Sequence, residues 1–377
     1  MQAFVFTDKA LARRAGQFVW LSIDTEKASN ASFTRKFPVE GLPTFFILDA
    51  ATETATLRWL GGATVPQMQK LLDDGLRTVS HPKGSVEQTL ARADRLFGEG
   101  KNAEAAKAYR EALAAAPAGW PRYGRSLESL LYTLDATKDR EGCAVAARDA
   151  FSRLKNTPSA ANVAASGLSC ALGIPPENPA RRALVEALRA DALSVVAARR
   201  RDVAADDMSS LYQTLEQDRE EAKDLEGRRR VLDQHAAFLE ERARAARTPS
   251  ERAVFDSHRV GAYMDLGQPE RAVPMLEQSE KDFPGDYNPP ARLAVIWNVM
   301  KKPDEAAAAS DRALEKAYGP RRIGILRVRS DIERARGDAA ASRRYLEEAL
   351  RAAEGLPEGQ RSDRMIASLK KKLESSP

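Results

Sequence analysis

The feature that most constrains this chain is a helical pattern that recurs along its length. In each copy, residues on one helix face lie four and then three positions apart, and most of them are small. From Ala272 to Ala306 is 34 positions, and from Ala306 to Ser342 is 36. This spacing predicts stacked helix-turn-helix units, because small residues let two helices approach closely. The aligned sets are Ala105, Tyr109 and Ala112; Ala272, Leu276 and Ser279; Ala306, Ser310 and Ala313; and Ser342, Leu346 and Ala349.

Turn residues separate the copies. Gly100, Gly267 and Gly337 precede the helices that carry the aligned sets, and Pro117 and Pro284 follow two of them. Glycine relieves a tight turn, and proline cannot continue a helix. On these residues the pattern resembles tetratricopeptide repeats (TPRs). The resemblance implies a superhelix whose concave face binds other proteins or peptides.

The TPR resemblance covers 85–117 and 255–353. A degenerate copy over 122–158 puts Cys143, Ala147 and Ala150 on its inner face. Helical spacing continues beyond it, but the period is lost. We therefore predict an all-α region beyond residue 84, divided into TPR-like repeats over 85–158, irregular helical hairpins over 159–250 and TPR-like repeats over 251–377.

The first eighty residues show a different pattern. A short β-rich run, Phe18 to Ile23, is followed by a helical stretch over 29–37 and a strand from Thr44 to Leu48. A second strand over 54–60 and a helix over 65–79 complete the series. Strands that alternate with helices predict an α/β unit with a central sheet. We place this domain at 1–80 and a linker at 81–84.

Pro43 stands directly before the strand that begins at Thr44. Proline has no N–H to donate and is tolerated in sheets mainly at the first residue, an edge or a bulge. The Gly41–Thr44 segment, with Asp24 ending an earlier strand and Gly61 after the last one, resembles the C-terminal portion of the thioredoxin fold. Gly62 and the opening MQAFVFTD fit the same family. The resemblance implies a cis Pro43 and peptide contact by Leu42, Pro43 and Thr44.

The thioredoxin family carries a Cys-x-x-Cys pair and a central strand that would lie upstream of Met1. Without that strand, Phe18–Ile23 and Thr44–Leu48 would each expose an unpaired edge, at about 1 to 3 kcal/mol for each buried backbone group. We therefore expect a chain shortened at its N-terminus, which the in-frame DNA upstream of Met1 would test. The predicted fold class is a partial thioredoxin-like α/β domain followed by an all-α TPR-like superhelix.

The charge and hydropathy of the chain narrow the classes of partner that it is expected to bind. The 59 basic and 54 acidic residues are interleaved and give a net charge of +5, which does not predict nucleic-acid binding. No apolar run approaches the roughly 18 residues of a membrane helix, so we expect no membrane span. No signal peptide is present as written, which leaves the compartment open between the cytoplasm and, if a targeting segment precedes Met1, the periplasm or cell envelope.

Residues that could carry chemistry are few. Cys143 and Cys170 sit among alanines on helical faces, which predicts buried packing residues and neither a disulfide framework nor a redox pair. His81, His235 and His258 have no partner at ligand spacing, and we expect surface or linker positions. We assign no catalytic residue, metal site or cofactor.

Two function classes remain. The first is a protein-binding TPR scaffold with a redox-inactive thioredoxin-like module. The second is a thiol-disulfide oxidoreductase in a longer native chain, with the repeats recruiting its clients.

Overall fold

The computed structural model describes residues 4–39, 41–79 and 85–374. They form two compact units: unit 1 contains the residues up to Gln17 and Val39–His235, and unit 2 contains Phe18–Pro38 and the residues from Ala236 onward. The predicted linker at 81–84 lies outside the described residues. No helix of the described ranges is long and apolar enough to cross a membrane.

The elements are numbered along the chain, and helix α11 (Leu225–Arg244) contains the division between the units. Unit 1 contains α1 (Lys9–Ala12), β1 (Thr44–Asp49), β2 (Thr54–Leu60), α3 (Val65–Val79), α4 (Ser85–Gly98), α5 (Asn102–Ala114), α6 (Tyr123–Ala136), α7 (Arg140–Leu154), α8 (Ala160–Leu172), α9 (Arg181–Ala198) and α10 (Ala205–Glu221). Unit 2 contains α2 (Ala31–Lys36), α12 (Pro249–Ala253), α13 (Asp256–Asp265), α14 (Ala272–Asp282), α15 (Asn288–Val299), α16 (Pro303–Leu314), α17 (Gly319–Ala335), α18 (Ala339–Glu354) and α19 (Asp363–Glu374).

Antiparallel helix pairs build most of both units. Helices α4/α5, α6/α7 and α8/α9 pack as hairpins in unit 1, and α13/α14, α15/α16 and α17/α18 do so in unit 2. The positions aligned from the sequence form the contacts: Tyr109, Leu276 and Leu346 are fully buried, and Ala306 and Ala313 are too. The prediction of stacked helical hairpins is therefore confirmed. Large side chains fill the space between hairpins, and the small ones permit close helix packing.

The strands of unit 1 form an antiparallel pair in which Thr44 is opposite Leu60, with an irregularity between Ile47 and Leu48. β1 is rich in aromatic and β-branched residues, and β2 buries every residue between Ala55 and Trp59. The predicted strands over Thr44–Leu48 and 54–60 and the helix over 65–79 are confirmed. The Leu42–Pro43 peptide bond is cis, as predicted.

The prediction of a strand over Phe18–Ile23 was wrong. These residues form no strand, and Val19 and Leu21 are 89% and 70% exposed. A strand needs a neighbour to accept its backbone hydrogen bonds, and in the described chain the sheet consists of β1 and β2 alone. The two-stranded sheet does not establish a thioredoxin-like domain.

The cysteines correct a second prediction. Cys143 on α7 and Cys170 on α8 are buried, as expected, but they are joined in a disulfide. They lie 27 positions apart on consecutive, tightly packed helices. That separation is equally compatible with two packing residues, so the sequence pattern did not reveal the bond.

Removing this disulfide is expected to lower the free energy of unfolding by about 3 kcal/mol, because a loop of this length restricts the unfolded chain. Chemical denaturation of the wild type and of the Cys143→Ala/Cys170→Ala variant, each with and without dithiothreitol, measures the loss. The reductant should weaken the wild type and leave the variant unchanged. Equal denaturation midpoints for all four samples would contradict the expectation.

The histidines differ from the predicted surface positions. His235 is buried: its Nε2 lies 2.8 Å from Ser209 Oγ and its Nδ1 lies 2.9 Å from Glu216 Oε1. Its ring stacks on Tyr212 with the centroids 5.2 Å apart. These partners come from α10, so only the packing of α10 on α11 explains the burial. His258 is half-buried, and His81 lies outside the described residues.

Candidate functional site

Unit 1 contains a cavity of about 280 Å³. Its wall is formed by the end of β2 and by α4, α6, α8 and α10, every second helix along the chain. The aromatic and polar side chains of the wall are Trp59, Phe97 and Tyr132, the acidic residues Glu128 and Asp135, the amide Asn162, and the hydroxyl residues Ser129, Ser166, Ser169, Ser210 and Thr214.

Helical periodicity explains why these residues share the cavity. On α6, Glu128, Tyr132 and Asp135 follow one another at spacings of four and three. Asn162, Ser166 and Ser169 repeat the same spacing on α8, and Ser210 and Thr214 lie four apart on α10. Each helix thus packs its apolar face against its neighbours and turns a second, polar stripe toward the cavity.

The charges of the wall have one sign. Among the described residues that line it, two are carboxylic acids and none is lysine, arginine or histidine. Hydroxyl and amide oxygens add acceptors, and aromatic rings add faces that attract cations. The arrangement suits a positively charged group.

Glu128 is the most unusual side chain of the cavity. It is 8% exposed, and its Oε1 has no hydrogen-bond partner among the described residues. Burial, followed by the nearby Asp207, raises the pKa of Glu128 to about 8, against the opposing effects of a hydrogen bond with Ser159 and the charge of Arg125. A buried acceptor without a donor is costly unless a ligand supplies one.

Asp207, in the first turn of α10, lies close enough to raise the pKa of Glu128. Burial raises the pKa of Asp207 itself to about 7, and a hydrogen bond with Asn162 opposes the shift. The facing helices α6 and α10 therefore bring together two carboxyl groups that titrate near neutrality. Asp207 is not among the described residues that line the cavity, so a cation that enters the cavity would act first on Glu128 and favour its ionised form.

Arg125, one turn before Glu128 on α6, does not neutralise this pair. Its guanidinium group binds both carboxylate oxygens of Asp94 at 2.8 and 2.9 Å and lies 3.0 Å from Asp74. Burial would lower the pKa of Arg125, but the two carboxylates outweigh it and raise the pKa. Asp94 also accepts a hydrogen bond from Tyr109 at 2.7 Å. The charge of Arg125 is thus committed to holding α3, α4 and α6 together.

The three residues predicted to contact a peptide stand beside the cavity wall. Leu42 is 63% exposed, the carbonyl of Pro43 accepts a hydrogen bond from Gly61 N at 2.9 Å, and Thr44 is paired with Leu60, which lines the cavity. None of these three residues is among the described residues that line the cavity. Their contact with a polypeptide stays a prediction.

Sequence reasoning missed Glu128, Asp207 and Asn162. The pattern that could have found Glu128 and Asn162 is the stripe of polar residues at spacings of four and three on α6 and α8. Asp207 lies on α10, outside that stripe. Within the described ranges no three histidine, cysteine or acidic side chains are grouped so that they could hold a metal ion.

Solved structures similar to this chain include tetratricopeptide repeat proteins. A tetratricopeptide repeat protein from Parabacteroides merdae is 12% identical, over 77% of this chain and 99% of that one, with a TM-score of 0.45. The TPR2AB domain of yeast Sti1, solved as an HSP90 complex, is 15% identical over 77% and 98%, with a TM-score of 0.28. Acl4, the assembly chaperone of RpL4, is 14% identical over 77% and 97%, with a TM-score of 0.35. No protein-family model and no curated protein matches the chain.

Proposed function

We propose that this chain is a non-catalytic, protein-binding scaffold of TPR-like hairpins, and that the cavity of unit 1 receives a lysine or arginine side chain of an extended peptide. The observation that carries the proposal is the buried Glu128, whose Oε1 has no donor in a cavity without a basic residue in its described lining.

The size of the cavity supports a single side chain as the occupant. Its volume of about 280 Å³ lies just below the roughly 300–1,000 Å³ of sites for cofactors and other small molecules. The methylene stem of a lysine or arginine would lie against Trp59 and Phe97, and its charged end would reach Glu128. The aromatic rings of the wall thus complement the apolar stem, and the carboxyl group of Glu128 complements the charged head.

The free-energy cost of burying the carboxyl groups of Glu128 and Asp207 supports the same function. Burial of an ionised carboxylate without a partner charge destabilises a fold, so such groups are enriched at functional sites. Glu128 and Asp207 belong to no ion pair that would offset this cost within the described residues.

The peptide backbone is proposed to pass Leu42, Pro43 and Thr44. The exposure of Leu42 and the pairing of Thr44 with the cavity residue Leu60 support this course. We propose no redox turnover for this chain, because the Cys143–Cys170 disulfide is buried and an attacking thiolate has little access to its sulfurs.

Selection from a random peptide library on the immobilised full chain tests the proposal. Peptides selected by the wild type should be enriched in lysine or arginine at one position. Glu128→Gln should bind the best of them at least tenfold more weakly, since a hydrogen bond to a charged group contributes about 1.5–3 kcal/mol. Glu104→Gln, at an exposed position of α5, is the matched control.

The pH dependence of binding adds a second readout. Affinity should rise between pH 6 and pH 9, because the ligand favours the ionised form of groups with pKa values of about 8 and 7. Selected peptides without a basic residue, or equal affinity for the wild type and Glu128→Gln, would refute the proposal.

A further inference from the structure

Unit 2 holds a segment of its own chain in the manner of a bound peptide. Residues 18–23 have no regular secondary structure, and Val19, Trp20 and Leu21 are exposed. Burial of this apolar stretch therefore does not fix the segment. Polar contacts begin immediately after it, at Asp24 and Glu26.

We infer that Tyr287, Tyr318, Arg321 and Gln360, here called the acid cradle, form a recognition site for a peptide whose Asp-x-Glu motif forms a turn. The chain's own Asp24–Glu26 occupies the site, and a partner segment of the same chemistry binds by replacing it. This site lies wholly in unit 2 and is independent of the cavity in unit 1.

The two acidic side chains are recognised separately. Tyr318 Oη donates a hydrogen bond to Asp24 Oδ2 at 2.5 Å, and Tyr287 Oη donates one to Glu26 Oε2 at 2.7 Å. The guanidinium group of Arg321 pairs with the other oxygen of Glu26. Asp24, Glu26 and their three partners thus make a complementary set in which each donor meets a carboxylate.

The backbone between the acids is recognised by one side chain. Gln360 Nε2 donates to the carbonyl oxygens of Thr25 at 2.9 Å and of Lys27 at 2.8 Å. These carbonyl groups belong to a turn, in which Lys27 N donates to the carbonyl oxygen of Asp24 at 3.3 Å and Glu26 N donates to Asp24 Oδ1 at 2.9 Å. The contacts therefore require this backbone shape but no particular side chain at residue 25. The central residue of the motif is therefore free to vary.

Two glycines allow the segment to approach the helices closely. A Cβ on Gly319 would lie 2.2 Å from the carbonyl oxygen of Glu26, and a Cβ on Gly359 would lie 2.4 Å from that of Ala31. Any larger residue would collide with the backbone of the segment at either position. The surface is therefore shaped to a chain that lies directly on it.

The ends of two helices add an attraction for negative charge. Tyr287 and Tyr318 occupy the positions just before α15 and α17, where backbone N–H groups point outward. The positive end of a helix dipole favours a nearby carboxylate. Asp24 and Glu26 therefore bind where the field of these helices suits them.

The cradle residues Tyr318 and Arg321 are accessible from solvent, which permits exchange, whereas the Glu26 side chain that Arg321 binds is 15% exposed. Tyr318 is 41% exposed and the Arg321 side chain is 54% exposed. Exposed ion pairs contribute little stability, so the covalent tether and its high effective concentration maintain the contact. A partner that presents the same motif competes with the tethered segment.

The test uses the full-length Asp24→Asn/Glu26→Gln variant, in which the tethered segment competes less well for the cradle. A fluorescent synthetic peptide of residues 18–38 should bind this variant at least tenfold more tightly than it binds the wild type. Addition of Arg321→Ala should remove the gain, and a peptide carrying both Asp24→Asn and Glu26→Gln should not bind. Failure of the variant to bind the unmodified peptide, or equal binding of both peptides, would overturn the inference.

A second measurement guards against misfolding of the double variant. The substitution Arg321→Ala changes an exposed side chain and should leave the fold intact. In this variant, backbone amides of residues 23–27 should exchange with deuterium at least tenfold faster than in the wild type, and exchange in α18 should be unchanged. Unchanged exchange at 23–27 would also overturn the inference. Glu128→Gln should leave both experiments unaffected, so failure of the cradle and failure of the unit 1 cavity are distinguishable.

Discussion

Replacing Arg125 with leucine is expected to lower the free energy of unfolding by about 4 kcal/mol, because it leaves two buried carboxylates without their partner charge. Asp94 is 1% exposed and Asp74 is 5% exposed, and both pair with Arg125. Urea denaturation at pH 7 measures the loss. The loss should shrink toward acidic pH, because burial raises the pKa of Asp74 and its protonation removes part of the uncompensated charge.

The matched control is Arg92→Leu. Arg92 pairs with Glu111 at the surface, with more than half of its side chain exposed. An exposed pair of this kind contributes about 0–1 kcal/mol, so its loss should have a small effect. Equal destabilisation by the two substitutions would show that burial does not set the value of the Arg125 contacts.

Replacing Glu128 with glutamine is expected to stabilise the fold at alkaline pH by an amount on the order of 4 kcal/mol. The folded-state pKa of about 8 lies above the ordinary value of 4.5, so the folded chain keeps a proton that the unfolded chain releases. Stability therefore falls as pH rises from about 4.5 to about 8 and is then constant. Glutamine removes this dependence.

The measurement is the free energy of unfolding of the wild type and Glu128→Gln at pH 5, 7 and 9. The difference between them should be smallest at pH 5 and largest at pH 9. The stabilisation by Asp207→Asn should likewise grow with pH and become constant near pH 7, the pKa of Asp207. Glu104→Gln should have the same free energy of unfolding as the wild type at every pH. A difference that does not grow with pH would disprove the account of these carboxyl groups.

Taken together, these substitutions separate stability from function. Glu128→Gln should make the chain more stable and its cavity less able to bind a cation. Arg125→Leu should weaken the fold while leaving the cavity carboxylates in place. A side chain that destabilises the fold is expected at a position where it serves binding.

Local residue patterns determined the helices, the hairpins and the strands β1 and β2 of the described chain. The small residues at spacings of four and three are buried where they were predicted, and the strand after Pro43 begins at Thr44. These features depend on periodicity and turn chemistry within about 35 residues, which the chain carries locally.

Four features follow only from the tertiary structure. Residues 18–23 form no strand, Cys143 and Cys170 are bonded, His235 is buried, and Glu128 and Asp207 lie close together. Each depends on a partner that is distant along the chain: a neighbouring strand, the next helix, or a facing helix almost eighty positions away. Burial and electrostatic coupling arise when elements pack, and the pattern of a single element does not contain them.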